Sequence, residues 1–354
     1  MNPTQFALSA FVAALLLVVG LAASSYAEQT RTVPPATPAY TGPIVDAHLH
    51  AYPVNYRGPA PTAVCVGQAA ELAATVQASW SSWYVDMVKH PKCASPIWSP
   101  ASDTELRDQT IAEMRRLNIT GVVSGPPALV REYVQQLSGR VIPAIEFNFR
   151  EYHYLEADIV RMLDFEGFRV LGEITDQYDG IAPDDPKFDP YWKIAEDRGV
   201  PVAIHLGIGP PAAPFLTPQY HARQISPFAL ERVLTRFPRL RIQVMHAAWP
   251  MRDELKAMLY HYPQMYIDTG SLQFALTRAE YYSFLKEIVD AGFTDRILFG
   301  SDQQVWPGLI EEGINAINDA EFLTHLQKAA ILHDNAVRFF RLSEHGESRQ
   351  PTVR

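Results

Sequence analysis

Two histidines one residue apart, His48 and His50, end the apolar run Ile44-Val45-Asp46-Ala47-His48-Leu49-His50. In an extended strand side chains alternate between faces, so both imidazoles point one way and Leu49 the other. Two neutral imidazoles side by side are half of a divalent-metal site. Paired histidines also occur as ordinary core or surface residues, so the pair alone decides nothing. Four further groups able to bind a cation stand at or near the ends of other short apolar runs. They are Glu173 after Val170-Leu171-Gly172, His205 after Val202-Ala203-Ile204, His246 after Ile242-Gln243-Val244-Met245, and Asp302 after Ile297-Leu298-Phe299-Gly300-Ser301. A lone histidine in such a place is more often a hydrogen-bonded core residue than a ligand. All these groups at equivalent places, taken together, point to a metal centre.

The elements that must position them form a repeated alternation. Apolar runs predict strands over 44–50, 119–124, 141–147, 168–174, 200–206, 240–246, 265–269 and 296–300, with helical periodicity between them and helices over 309–318 and 321–340 at the end. Eight strands alternating with helices predict a parallel (β/α)8 TIM barrel. An open doubly wound sheet is the alternative, but no glycine-rich phosphate fingerprint follows the first strand. In such a barrel the active site is assembled at the C-terminal rim of the strands, where all the metal-competent groups fall. The long segment 51–102, rich in Pro, Ala and Trp, is expected as an insertion over that rim, with a helix near 67–89. His90, His153, His261, His325, His333 and His345 fall on predicted helices, loops or the tail, and no chemistry is assigned to them.

The chain has 354 residues, 30 basic against 39 acidic for a formal charge of −9, and no dense Lys/Arg block. Nucleic acid is therefore excluded as an expected partner. With 47% apolar residues, 19% charged and 28 prolines, the composition suits a compact enzyme with proline-stiffened loops and not a disordered chain. Residues 6–23 form an uncharged apolar segment followed by Ser25 and Ala27, small residues spaced as at a signal-peptidase site. The expectation is an export signal over 1–27, a lead-in over 28–43, the barrel over 44–342 and a polar tail over 343–354. The alternative is an uncleaved membrane anchor, since the apolar segment is just long enough to span a bilayer. The only cysteines, Cys65 and Cys93, suit a disulfide in an exported chain, the alternative being two buried thiols.

The ordered combination of Val45-Asp46-Ala47-His48-Leu49-His50, Ala203-Ile204-His205, Val244-Met245-His246-Ala247-Ala248 and Ile297-Leu298-Phe299-Gly300-Ser301-Asp302 resembles the amidohydrolase superfamily, in its amidohydrolase-related branch. Ile331-Leu332-His333-Asp334-Asn335-Ala336 resembles that family's closing helix, so the resemblance runs from about Ile44 to Leu342. It implies that His48, His50 and His205 bind a divalent metal and that Asp302 is both ligand and proton acceptor. It gives His246 either a second metal or the attacking water and developing oxyanion. Many relatives place a metal-bridging carboxylated lysine where Glu173 stands, so Glu173 either bridges two ions or orients a ligand histidine from outside. One ion is expected, with Zn²⁺ the first choice among Zn²⁺, Mn²⁺, Fe²⁺ and Co²⁺, and two ions the alternative. A cation held through neutral nitrogens and few carboxylates keeps much of its charge, so it polarises a carbonyl and acidifies water, and Asp302 can then move the proton.

Two departures from the family pattern bear on the pocket. His246 opens His-Ala-Ala-Trp where relatives often have His-Gly-Gly, and Asp302 is followed by Gln303-Gln304-Val305-Trp306-Pro307. Trp249 and Trp306 are candidates for the pocket wall, with barrel-to-helix packing as the alternative. Tyr56, Arg57, His221 and Arg223 are candidates for contact with an anionic substrate, with solvated loop positions as the alternative. The expected function is metal-dependent hydrolysis of an ester, lactone or amide. A decarboxylase of the same branch is the alternative reaction, and a barrel that kept the fold but only binds is a third reading. The expected partner is a small-molecule substrate, and a homodimer is common in enzymes of the family that the chain resembles.

Overall fold

The computed structural model describes residues 37–67 and 79–342. The expected export segment, the first part of the lead-in, residues 68–78 and the polar tail lie outside the described residues.

Ten strands follow in chain order: β1 Ile44–His50, β2 Ala63–Val64, β3 Ile97–Trp98, β4 Ile119–Ser124, β5 Val141–Phe147, β6 Val170–Ile174, β7 Val202–His205, β8 Ile242–Met245, β9 Met265–Asp268 and β10 Ile297–Leu298. Eight of them form one parallel sheet in the order β1-β4-β5-β6-β7-β8-β9-β10, with helices between successive strands, so the fold is the expected TIM barrel. The ring is drawn together between its first and last strands by Ala47 N–H donating to Phe299 O at 2.8 Å and Asp302 N–H to His48 O at 2.8 Å.

The last strand is shorter than its apolar run because a side chain takes over from the main chain there. The Gln303 carboxamide accepts from His50 N–H at 3.0 Å and donates to His50 O at 2.7 Å, as a neighbouring strand residue would. On the other side of the strand, a π-turn over Ala330–Asp334 frees Ile331 O to accept Phe299 N–H at 2.9 Å. Asn335 adds a bond from Nδ2 to Ile297 O at 2.7 Å, so the closing helix clamps β10 in place.

Alternation along the strands divides the core in two. Val123, Ile145, Leu171, Ile204 and Val244 pack outward against the helices, while Val45, Val122, Ala144, Val170, Ala203 and Leu298 pack on one another and on Phe339. Small residues recur in this second set because the interior is narrow, and they form an apolar plug beneath the strand ends. Truncating an outward residue such as Ile204 to alanine is expected to cost about 2–5 kcal/mol. β1 carries a register irregularity between Asp46 and Leu49, beyond which His48 and His50 share a face.

The 51–102 segment rises from β1. Cys65 and Cys93 are bridged, with Cα atoms 5.8 Å apart, which stabilises the fold by about 3–4 kcal/mol on a chain-entropy estimate. β2 and β3 pair antiparallel, and the described helix of this segment is Trp80–Lys89, capped by the Ser79 hydroxyl accepting from Ser82 N–H. No helix among the described residues is long and apolar enough to cross a membrane.

Candidate metal centre

The metal-competent groups named from the sequence converge at the strand ends. His48 and His50 end β1, Glu173 is the penultimate residue of β6, His205 ends β7, His246 directly follows β8, and Asp302 lies four residues beyond β10. All six are nine-tenths buried or more. Close approach is purchased with glycine at two points. A Cβ on Gly172 would stand 2.5 Å from Ala203 O, and one on Gly270 would stand 2.5 Å from His48 Nδ1.

Each imidazole is engaged at Nδ1 and turns Nε2 inward. His50 Nδ1 lies 3.0 Å from Ser124 Oγ, and His48 Nδ1 faces Asp268 Oδ2 at 3.3 Å. His205 Nδ1–H donates to Gln177 Oε1 at 2.9 Å, and His246 Nδ1–H to Gly270 O at 2.9 Å. A histidine held through one nitrogen has its tautomer and ring orientation fixed, which leaves a lone pair on the other for a cation.

The inward atoms form overlapping groups: two share Glu173, and His48, His246 and Asp302 make a third. In the first, His48 Nε2 and His50 Nε2 are 3.1 Å apart, Asp302 Oδ1 lies 3.1 Å from His50 Nε2 and 3.6 Å from His48 Nε2, and Glu173 Oε2 lies 3.5 and 3.8 Å from the same nitrogens. In the second, Glu173 turns its other oxygen, Oε1, to His246 Nε2 at 3.7 Å, and His205 completes the cluster. Four donors each about 2.0–2.1 Å from a common ion in tetrahedral geometry stand about 3.3 Å from one another. The separations in the first group bracket that value. Two imidazole nitrogens 3.1 Å apart are bridged either by a proton or by a cation, and a set of two imidazoles and two carboxylates fits a divalent cation. His205 groups with Glu173 and His246, whereas the resemblance implied that it binds beside His48 and His50.

The charges support one another. Burial opposes ionisation of Glu173, Asp302 and Asp268, yet nearby histidines outweigh it and hold all three carboxyls below their usual range. Burial likewise opposes charging of His48, but Asp268 and Asp302 raise its pKa well above the ordinary value. Against the same opposition, the Glu173 carboxylate facing Nε2 raises His246. Burial and the neighbouring His246 instead push His205 down to about 3, so it stays neutral with its lone pair available.

Several residues of the centre carry no motif. Asp268, fully buried at the end of β9, accepts from Gln243 Nε2 at 2.6 Å, His246 N–H at 3.1 Å and Gly270 N–H at 2.8 Å while facing His48. Its position at a strand end was the available signal. Gln177 clamps His205 from the turn after β6, its Oε1 also accepting Gly207 N–H at 3.2 Å. Asp302 Oδ2 accepts from the Ser271 hydroxyl and from Gln304 Nε2 at 3.2 Å, leaving Oδ1 toward the histidines. Glu146, one residue before the end of β5, is buried and accepts from Tyr52 Oη at 2.9 Å. His246, Ser271, Asp302 and Gln304 all have positive φ, between 49° and 62°. Backbone of this kind costs about 1–3 kcal/mol per residue and persists where surrounding bonds hold it, here those of Asp268, Ser271 and Gln304.

Above the donors opens a cavity of about 940 Å³. His50, Glu173, His205, His246 and Asp302 form its floor, and Arg57, Tyr56 and Trp306 line its wall. Described residues of the 51–102 segment line the cavity, among them Trp83, Tyr84 and also His90, to which the sequence assigned no role. Arg223 and His221 are exposed and do not line the cavity. Trp249 is also outside it, packing on the core and donating from Nε1 to Glu280 Oε1 at 3.1 Å.

The fold and the sequence agree with known proteins. The structure is similar to a TIM-barrel protein from Bordetella bronchiseptica (TM-score 0.51, 23% identity, 66% of this chain and 81% of that one). It is also similar to a probable 2-pyrone-4,6-dicarboxylic acid hydrolase from Acinetobacter baumannii (0.54, 14%, 85% and 100%). A third similar structure is the IDCase of Metarhizium anisopliae (0.52, 16%, 86% and 98%). No curated protein sequence matches the chain significantly. The amidohydrolase family model matches residues 45–342, the whole barrel, and the chain belongs to the amidohydrolase family.

Proposed function

We propose that this protein is a metal-dependent hydrolase that cleaves a carbonyl ester, lactone or amide of a small molecule. The observation that carries this reading is the convergence of four Nδ1-tethered imidazoles and two carboxylates at the floor of a deep cavity. His48, His50, Glu173 and Asp302 would hold one divalent cation, with Zn²⁺ the best match to the donor set. When bound, such a cation supplies Lewis-acid polarisation of the scissile carbonyl and lowers the pKa of water.

The chain's own groups do the rest. Asp302 Oδ1 accepts the proton of the attacking water and returns it to the leaving group, while Oδ2 stays fixed by Ser271 and Gln304. His246, its ring fixed by Gly270 O and its Nε2 turned toward Glu173, lies on the cavity floor where it can meet the developing oxyanion. Neutral His205, held by Gln177 and receiving the Tyr178 hydroxyl on Nε2 at 3.1 Å, keeps the far side of Glu173 closed. Arg57 offers a cation on the wall to an anionic end of the substrate. The Cys65–Cys93 bridge supports an exported, oxidising setting.

A second reading, decarboxylation of an aromatic acid, is favoured by one feature, the Arg57 guanidinium over the Tyr56 ring at 5.1 Å on a wall that also carries Trp83, Tyr84 and Trp306. The deciding experiment is a panel of esters, lactones, amides and aromatic acids assayed with the metal removed and restored. The hydrolase reading predicts metal-dependent turnover of at least one ester, lactone or amide. Release of carbon dioxide from aromatic acids with no turnover of the others would reject it. Unchanged turnover in Asp302→Asn would favour a barrel without this chemistry.

A further inference from the structure

We infer that Gln304 is a positioning residue that couples Arg57 on the cavity wall to Asp302 in the metal centre. The inference builds on the proposed hydrolase reading, in which Asp302 moves the proton and Arg57 meets the substrate.

The geometry is a closed circuit through the centre. The Tyr52 ring lies flat on the His50 imidazole, centroids 4.3 Å apart and planes 10° apart, and Tyr56 stacks on Tyr52 at 3.8 Å and 16°. The Arg57 guanidinium caps this column over Tyr56. From its other side Arg57 donates through Nε to Gln304 Oε1. Gln304 donates through Nε2 to Asp302 Oδ2 at 3.2 Å, and Asp302 Oδ1 returns to His50 Nε2 at 3.1 Å. Among the described residues Arg57 has no ion-pair partner; the Gln304 carboxamide accepts from its Nε, and the guanidinium lines the cavity.

Gln304 is suited to couple the two because both ends of its amide are spent. It is 8% exposed, with Oε1 accepting from Arg57 and Nε2 donating to Asp302, so turning the amide toward one partner loosens its bond to the other. Its neighbour Gln303 does a different job, spending both ends of its amide on the His50 main chain. The two successive glutamines thus fix the two sides of the centre, one through the backbone of β1 and one through Asp302. An anionic group taken up by Arg57 would pull on the same amide that orients Asp302, so substrate capture and carboxylate placement are linked.

The test is a double-mutant cycle on the zinc-loaded protein with Arg57→Met and Gln304→Met, read by the rate at which a chelator removes zinc. Arg57 touches no proposed metal donor, yet the coupling predicts that Arg57→Met alone speeds zinc loss about 10-fold, the lower end of what an outer hydrogen-bond partner of a metal site contributes. Gln304→Met should do the same or more, the double variant no more than Gln304→Met, and Arg57→Lys, which restores a donor toward Gln304, should recover most of the effect. Multiplicative effects in the double variant, or wild-type zinc retention in Arg57→Met, would overturn the coupling. If Gln304→Met fails to fold, the contrast between Arg57→Met and Arg57→Lys still decides. Zinc loss needs no substrate, so this result stands apart from the fate of the hydrolase reading, which the substrate panel tests.

Discussion

The donors at the cavity floor stand at or just beyond strand ends and each histidine is tied at a second atom, whereas much of the wall comes from the 51–102 insertion and from the loop after β10. At the floor, a strand fixes where each side chain points, and partners such as Asp268, Gln177 and Ser124 fix its rotation. At the wall, placement depends on contacts distant in sequence: the Cys65–Cys93 bridge, the Trp306 Nε1–H bond to Thr62 O at 3.0 Å, and the Trp80–Phe215 stack at 4.4 Å. The floor sets the chemistry that is available, and the wall sets which molecule receives it.

The contrast predicts that floor and wall variants fail differently. His50→Ala removes a donor outright and should lower metal-dependent turnover about 1000-fold or more without unfolding the barrel, checked by steady-state kinetics beside circular dichroism. Turnover within 10-fold of the parent would separate this histidine from the chemistry. Next in size, replacing both Cys65 and Cys93 by serine should cost about 3–4 kcal/mol in denaturant unfolding and raise KM, with the zinc content unchanged. A loss of zinc in that variant would mean that the bridge holds the floor as well as the wall. Mass spectrometry that found two alkylatable thiols in the unreduced parent would remove the bridge itself.

Asp268→Ala leaves His48 without its Nδ1 partner and should weaken zinc affinity about 10- to 100-fold, measured by competition with a chelator. The smallest effect lies below the floor. Burial pushes the Asp176 carboxyl up to about 7 from 3.8. The folded protein therefore holds a proton there that the unfolded chain releases, and stability falls as pH rises between those values. Asp176→Asn keeps an acceptor for Phe149 N–H and removes that penalty. It should leave stability unchanged at pH 4 and raise it by about 1–2 kcal/mol at pH 8, part of the shift being offset by relaxation around the carboxylate. Equal effects at both pH values would contradict the burial argument.

How much of this was legible in the sequence follows the same division. Strands are marked by short apolar runs that end at the metal-competent groups, so His48, His50, His205 and His246 could be placed from the chain alone, together with the barrel they imply. Asp268 and Glu146 stand at or near strand ends too, but an acidic residue there has no motif to single it out. Gln177 and Gln304 act through their amide groups from turns, where no periodicity reports direction. Of the two tryptophans named from their positions, Trp306 reaches the cavity and Trp249 turns to Glu280 instead. Which way each points depends on loop backbone, including the positive φ of Ala247, Ala248 and Gln304, that side-chain type does not encode. The pairing of Glu173 with the β1 histidines was likewise hidden, since it depends on Gly172 bringing β6 against β7.

The most direct test of the central claim is elemental analysis of the purified protein after equilibration with zinc and removal of the excess. The account predicts about one zinc per chain, held by His48, His50, Glu173 and Asp302, and none when His48 and His50 are both alanine. Two zinc ions per chain falling to one in Glu173→Ala, or no zinc retained by the parent protein, would contradict it.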